Sequence, residues 1–320
     1  MAFAGAIYFL HLMAENVLAV FNPVYRHALD NALWLWIPVA VGAAASGWTT
    51  TPIQPVGRSP AAEAWLQGRR LMGFFAASAA MRTLVATLAA GIMVVSTAEL
   101  QDLAWSRALE RIDVAGPAVI HAAFLVIAGA MLVGSLFSST LLGNHTRSMN
   151  EHGYAWVATL LCYPPFHVIH GPFPWQISVD VPIWFAFFDP ASLLGWLWTG
   201  GIAVFLGIEV WAAAALGPRY TELAHRGLVT TGPFRHSKHP GYIARCGFLW
   251  LAFAPVFADD LTGAIQSTVI LLIISGTFYL RALGEEHHLA NDPDYRAYTT
   301  WIAEYGLFSR ARRLLARRAP

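Results

Sequence analysis

Charge is what this 320-residue sequence has least of: Asp, Glu, Lys and Arg together make up 12% of it. A soluble domain carries about twice that share, so a solvated globule is excluded. Cysteine is also scarce. Cys162 and Cys246 are the only two, too few for a disulfide framework, and each lies in apolar sequence where a buried, inert thiol is expected. No Lys or Arg precedes Arg26, and His11 and Glu15 interrupt the first apolar run, so no secretory signal peptide is expected. The closing Arg-Arg-Ala-Pro is no prenylation box. A formal net charge of +1 says nothing about nucleic acid, but no dense basic run interleaved with aromatics suggests such a partner, and none is expected.

What fills the sequence instead is hydrocarbon. Apolar residues make up 57% and the mean hydropathy is +0.51, with runs at about 2–21, 32–48, 71–98, 117–143, 241–258 and 261–280. Several approach the roughly 20 residues that cross a bilayer. The expected fold is all-α and multi-pass, with a C-terminal helical hairpin and polar tail. An arginine-rich tail (Arg310, Arg312, Arg313, Arg317, Arg318) belongs on the cytoplasmic side. The last two runs then form a hairpin turning at Asp259-Asp260, which returns the loop 217–245 to the tail's side. Residues 154–188 are aromatic and interrupted by Pro164, Pro165, Pro172, Pro174 and Pro182. A crossing at 154–170 places Arg58, Arg69 and Arg70 on the tail's side too, gives about eight spans, and leaves PFPWQ and PIWFAFF near the outer interface. Ionisable residues inside spans are candidates for function: Glu15, Arg82, His121 and Glu209. For the first three a structural role is the favoured reading; Glu209 stands on the span that leads into the polar loop.

That loop is GLVTTGPFRHSKHPGYIAR, Gly227 to Arg245. Gly232-Pro233 marks a turn, and His239 is biased away from helical geometry by Pro240, which suits the first turn of a new helix. Arg226, Arg235, His236, Lys238, His239 and Arg245 crowd the stretch. Downstream stand Arg281, Glu285, Glu286 and Leu289, then Tyr295 and Tyr298, with a helix expected over about 281–290, a break at Asn291-Asp292-Pro293, and a second, aromatic helix along the interface. GPFRHSKHPGY resembles the G-P-Y-R-Y-x-R-H-P-x-Y motif of the integral-membrane methyltransferases, the family of isoprenylcysteine carboxyl methyltransferases and phospholipid N-methyltransferases. The second block is similar to that family's R-x-x-x-E-E-x-x-L…E-Y-x-x-Y. The resemblance covers about 190–320 and leaves 1–189 as an N-terminal membrane region of unknown role. Departures are Phe234 and His236 in place of tyrosines, Lys238 in place of arginine, and Ala244 where glycine is frequent, which narrows a cofactor's approach.

The resemblance implies an S-adenosylmethionine site at His239, Pro240, Tyr242, Arg281, Glu285 and Glu286. The residue types agree. The cofactor's ammonium and ribose hydroxyls need acceptors, its carboxylate needs donors, and Arg281 and Glu285 share a helix face at i,i+4. Arg245 is expected to attract an anionic acceptor at the membrane mouth, and Glu209 is the one plausible base. The leading expectation is carboxyl O-methylation of an isoprenylcysteine-like or other anionic lipophilic acceptor entering from the bilayer. Phospholipid amine N-methylation comes second, and an NADPH-dependent sterol-type reductase is the rival of similar architecture; the absence of G-x-G-x-x-G does not exclude it. The pairs His167/His170 and His236/His239, with His287-His288, suggest a di-iron oxygenase, but prolines flank both pairs and no H-x-x-x-H occurs. No metal is expected. A non-enzymatic transporter or assembly factor is the remaining class.

Overall fold

The computed structural model describes residues 78–138 (except 80, 81, 84 and 87), 143–150, 152–163 and 182–309. Expectations for Glu15, the runs 2–21 and 32–48, Arg58, Arg69, Arg70, the PFPWQ stretch and the arginine-rich tail lie outside these residues.

The described chain is mostly helical. After a helix at 88–102 (α1) come α2 (Ile112–Leu136), α3 (Gly153–Leu161), the single turn α4 (Trp184–Phe187) and α5 (Leu193–Leu216). Then follow α6 (Pro240–Ala252), α7 (Leu261–Leu289) and α8 (Pro293–Tyr305). Among the described residues four segments are long and apolar enough to cross a membrane: Ile112–Leu136, Leu193–Arg219, Pro240–Phe257 and Leu261–Leu289. Their outward faces are apolar as well, with Leu193, Leu197, Val204, Leu261, Ile265 and Leu272 exposed. Lipid, not water, is the solvent such faces suit.

Local chemistry sets the helix ends. The Ser192 hydroxyl accepts from Gly195 N at 3.1 Å to cap α5, and Asp260 Oδ1 accepts from Gly263 N at 2.7 Å to cap α7. Pro240 opens α6 and Pro293 opens α8, where a missing N–H costs nothing. The hairpin between α6 and α7 turns at Asp259-Asp260 as expected. Two elements differ from the sequence reading. No break occurs near 281: α7 runs unbroken to Leu289, because LRALGEEHHL has no proline and its one weak helix former, Gly284, costs only about 1 kcal/mol. The second difference is a two-residue antiparallel pair, β1 (Ser148–Met149) with β2 (Ala224–His225), in register Ser148↔His225. For the expected crossing at 154–170, the described part is the nine-residue α3. At 1.5 Å per residue this is about 13 Å, under half of a bilayer core.

Helix α5 is the central post. It packs on α2 and α6 around Ile120, Ala123, Trp184, Ile202, Leu206 and Phe248. Gly247 admits the Phe205 ring where any Cβ would collide with it. Helix α7 lies against α6 and α3. At Gly284 a Cβ would stand about 2.5 Å from that of Ala155, so the glycine lets α3 approach. Asn150 Nδ2 donates to the Gly284 carbonyl at 2.8 Å beside it.

Candidate functional site

Between these elements lies a cavity of about 560 Å³, within the range of small-molecule sites. One part of its wall is apolar, from Leu88 and Ile92 of α1 and Phe124, Ile127 and Met131 of α2. Another is polar, from the loop 219–229 and from His239, Tyr242, Arg281 and Glu285.

The two sequence blocks meet here. His239, just before α6, shares a hydrogen bond of 3.0 Å between Nε2 and Glu286 Oε1, and its Nδ1 stands 3.6 Å from Glu285 Oε2. Its ring stacks on Tyr242, with centroids 5.4 Å apart and planes 6° apart. The Tyr242 hydroxyl donates to Glu285 Oε1. Lys238 Nζ reaches Glu286 Oε1 at 2.6 Å. Glu286 is not among the cavity-lining residues; it holds His239 and Lys238 from behind. Pro240 lines the cavity and is buried at the start of α6. Ala244 is buried on the same helix. Tyr298 of α8 clamps the loop, donating to the Phe234 carbonyl at 2.6 Å, and Leu307 N donates to the His236 carbonyl at 2.8 Å. Burial pushes the phenols of Tyr295 and Tyr298 well above their ordinary pKa.

Arg281 is buried, and its chief partner is one that sequence spacing did not indicate. The guanidinium pairs with Glu222 Oε2, lies 4.7 Å from the Tyr242 ring centroid, and approaches Glu285 Oε1 only to 3.6 Å. The Tyr163 hydroxyl donates to Glu222 Oε1 at 2.6 Å and closes the network. Leu223, beside Glu222, has φ 55°, a left-handed conformation that costs a branched residue about 1–3 kcal/mol. No local motif marks Glu222 in the sequence.

The residues expected to serve the acceptor are joined to each other. Arg245 Nε and Nη2 both reach Glu209 Oε1, at 2.8 and 2.5 Å, and the Arg245 guanidinium lies 4.8 Å from the Phe124 ring centroid. Arg245 is therefore charge-compensated, not free for an anion. Glu209 Oε2 is buried without a hydrogen-bond partner on a residue that lines the cavity.

A second basic group surrounds β2. Arg226 is 2% exposed, and burial, with the Arg82 charge nearby, pushes it down to about 9. His225, pairing with β1, is held below the ordinary histidine value first by burial and then by Arg147, with Asp292 and Asp294 acting in the opposite sense. Among the described residues no cluster of three or more His, Cys, Asp or Glu side chains is arranged to hold a metal. In comparisons with protein-family models, curated proteins and solved structures, nothing matches this chain.

Proposed function

We propose that the chain is an S-adenosylmethionine-dependent membrane methyltransferase acting on a lipophilic acceptor. The observation that carries this reading is the convergence of His239 and Tyr242 with Glu285 on the wall of one largely apolar cavity, from blocks over forty residues apart. The donor set fits the cofactor. Glu285 offers acceptor oxygens for an ammonium or ribose hydroxyls, while Lys238 and His239 offer donors for a carboxylate. Arg281, already neutralised by Glu222, is the post on which Tyr242 and Glu285 are oriented. S-adenosylmethionine, when bound, would supply an electrophilic methyl group to the acceptor, the electron pair of the carbon–sulfur bond staying on sulfur. The chain's part is alignment and exclusion of water.

A carboxylate acceptor gives up no proton, so carboxyl O-methylation needs no base and is the leading case. The free Glu209 Oε2 favours one alternative, an amine acceptor such as a phospholipid headgroup, whose ammonium must first lose a proton. We place the loop 217–245 and the tail on the cytoplasmic face, with about eight spans in all. Membranes incubated with methyl-labelled S-adenosylmethionine decide between the acceptors. Label released as volatile methanol by mild base is the expected result. Base-stable label in a phospholipid fraction, lost in Glu209→Gln, is the result that replaces the ester with an amine.

A further inference from the structure

Four arginines gather at the end of β2, and among the described residues none of them is paired with a carboxylate. Arg147 is exposed, Arg219 is half-buried, and Arg226 and Arg82 are enclosed at 2% and 4% exposure. Arg147 and Arg219 flank Gly227, whose φ is 100°; a Cβ there would lie 3.3 Å from Arg147 Nη2 and 3.8 Å from Arg219 Nε. Arg219 and Arg226 line the same cavity as His239 and Glu285.

The bonding of Arg226 is lopsided. Its Nη1 donates to the Gly134 carbonyl at the end of α2 and lies 3.5 Å from the Pro218 carbonyl. Among the described residues Nε and Nη2 have no hydrogen-bond partner. Those two N–H groups are parallel and form the side-on edge of a guanidinium, the fork that matches the two oxygens of a carboxylate or phosphate. Arg82 is also incompletely bonded, though not at the same edge: Nη2 donates to Thr146 Oγ1 at 2.9 Å and, among the described residues, Nη1 has no partner. A buried cation with its best hydrogen-bonding edge unused is a standing cost to the fold. An oxyanion at that edge removes it.

We infer that Arg226, supported by Arg82 and approached past Arg147 and Arg219, is the anchor for the oxyanion head of a lipophilic ligand whose chain lies along the apolar wall of the cavity. The arginines run from exposed to enclosed, so the field draws an anion inward, and Leu88, Ile92 and Phe124 receive the hydrocarbon. This rests on the reading above only in calling that ligand the methyl acceptor. It moves acceptor recognition from Arg245, which Glu209 occupies, to Arg226.

The test uses the purified full-length protein in neutral detergent, titrated with oleate, oleyl phosphate, oleyl alcohol and inorganic phosphate. Both anionic lipids are expected to bind at least tenfold more tightly than the alcohol, and inorganic phosphate alone at least tenfold more weakly than oleyl phosphate. Arg226→Met should abolish the preference for the anions, and Arg226→Lys, which keeps the charge but loses the fork, should retain only part of it. Removing a costly buried charge should leave the melting temperature of unliganded Arg226→Met equal or raised. If that variant does not fold, Arg219→Gln, at the half-exposed approach, should reduce the preference instead. Equal binding of alcohol and anions by the unaltered protein overturns the inference. So does an undiminished preference in the folded variants. Inorganic phosphate binding as tightly as oleyl phosphate makes this a free-anion site and overturns the lipophilic ligand. S-adenosylhomocysteine titrated in parallel keeps the two proposals apart: its failure to bind removes the methyltransferase reading alone, whereas its binding without any anion preference removes the Arg226 anchor alone.

Discussion

Arg281 shows how a single residue's partner decides what the residue is for. At i,i+4 from Glu285 it suggests a surface ion pair, worth little on a helix. Enclosed against Glu222 and Tyr163, it becomes part of a buried network in which removing one member leaves an uncompensated charge. Glu222→Gln is therefore expected to destabilise the protein by about 3–5 kcal/mol, measured as a lowered unfolding midpoint in detergent; a midpoint within error of the parent would show that the pair is not buried in this way. His225 adds a pH dependence. Its folded pKa is depressed by burial, so below about pH 6.5 the unfolded chain takes up a proton that the folded chain resists. The stability it confers is complete above that pH and lost as pH falls. The melting temperature should drop between pH 7 and pH 5, and His225→Gln should flatten that drop. An identical pH profile in the variant would assign the loss to other groups, Asp292, Asp294 and Arg147 being those that face it. Local spacing made His239, Tyr242, Glu285 and Glu286 legible, because short motifs carry them. Glu222, Tyr163 and the Arg82–Arg226 pair were not legible as a site. Their contacts join positions 59 or more residues apart or, for the Arg226 edge, consist of a partner that is missing.

At the scale of elements, the turn at Asp259-Asp260, Pro240 at the start of α6 and the break at Asn291-Asp292-Pro293 agree with the sequence reading because each acts within a turn of its own position, whereas the side-chain caps of Asp260 and Asp292 were not foreseen. The end of α7 near residue 290 agrees with the sequence reading, but the division near 281 does not exist, because a change from apolar to charged side chains is not a helix stop. The backbone continues wherever propensity allows, and here it carries Arg281 and Glu285 on the same rigid rod as the apolar span. The β1–β2 pair, two residues a side, was beyond any periodicity argument. The hairpin of α6 and α7 makes a topological claim that labelling can check. In a background where Cys162 and Cys246 are replaced by serine, Lys238→Cys and Arg310→Cys should react with an impermeant maleimide from the cytoplasmic side, and Asp259→Cys from the other. Lys238→Cys and Arg310→Cys labelled from opposite sides would contradict the hairpin.

The whole molecule brings a polar, charged wall and an apolar wall into one cavity at the end of a helical bundle. Neither wall belongs to one stretch of chain. The charged part comes from the loops after α5 and before α6 and from the end of α7, the apolar part from α1 and α2. Composition alone indicated the membrane class, since 12% charge leaves too few groups to solvate a surface. Composition did not show which helices would enclose a cavity. The measurement that goes most directly to the proposed chemistry is titration of S-adenosylhomocysteine into the purified full-length protein, with NADPH as the competing ligand. Saturable binding of S-adenosylhomocysteine and none of NADPH is expected. His239→Ala and Glu285→Gln, each removing a charge-assisted hydrogen bond of roughly 1.5–3 kcal/mol, should weaken it about tenfold or more. No binding by the parent protein, or an affinity unchanged in both variants, would contradict the assignment of this cavity to the cofactor.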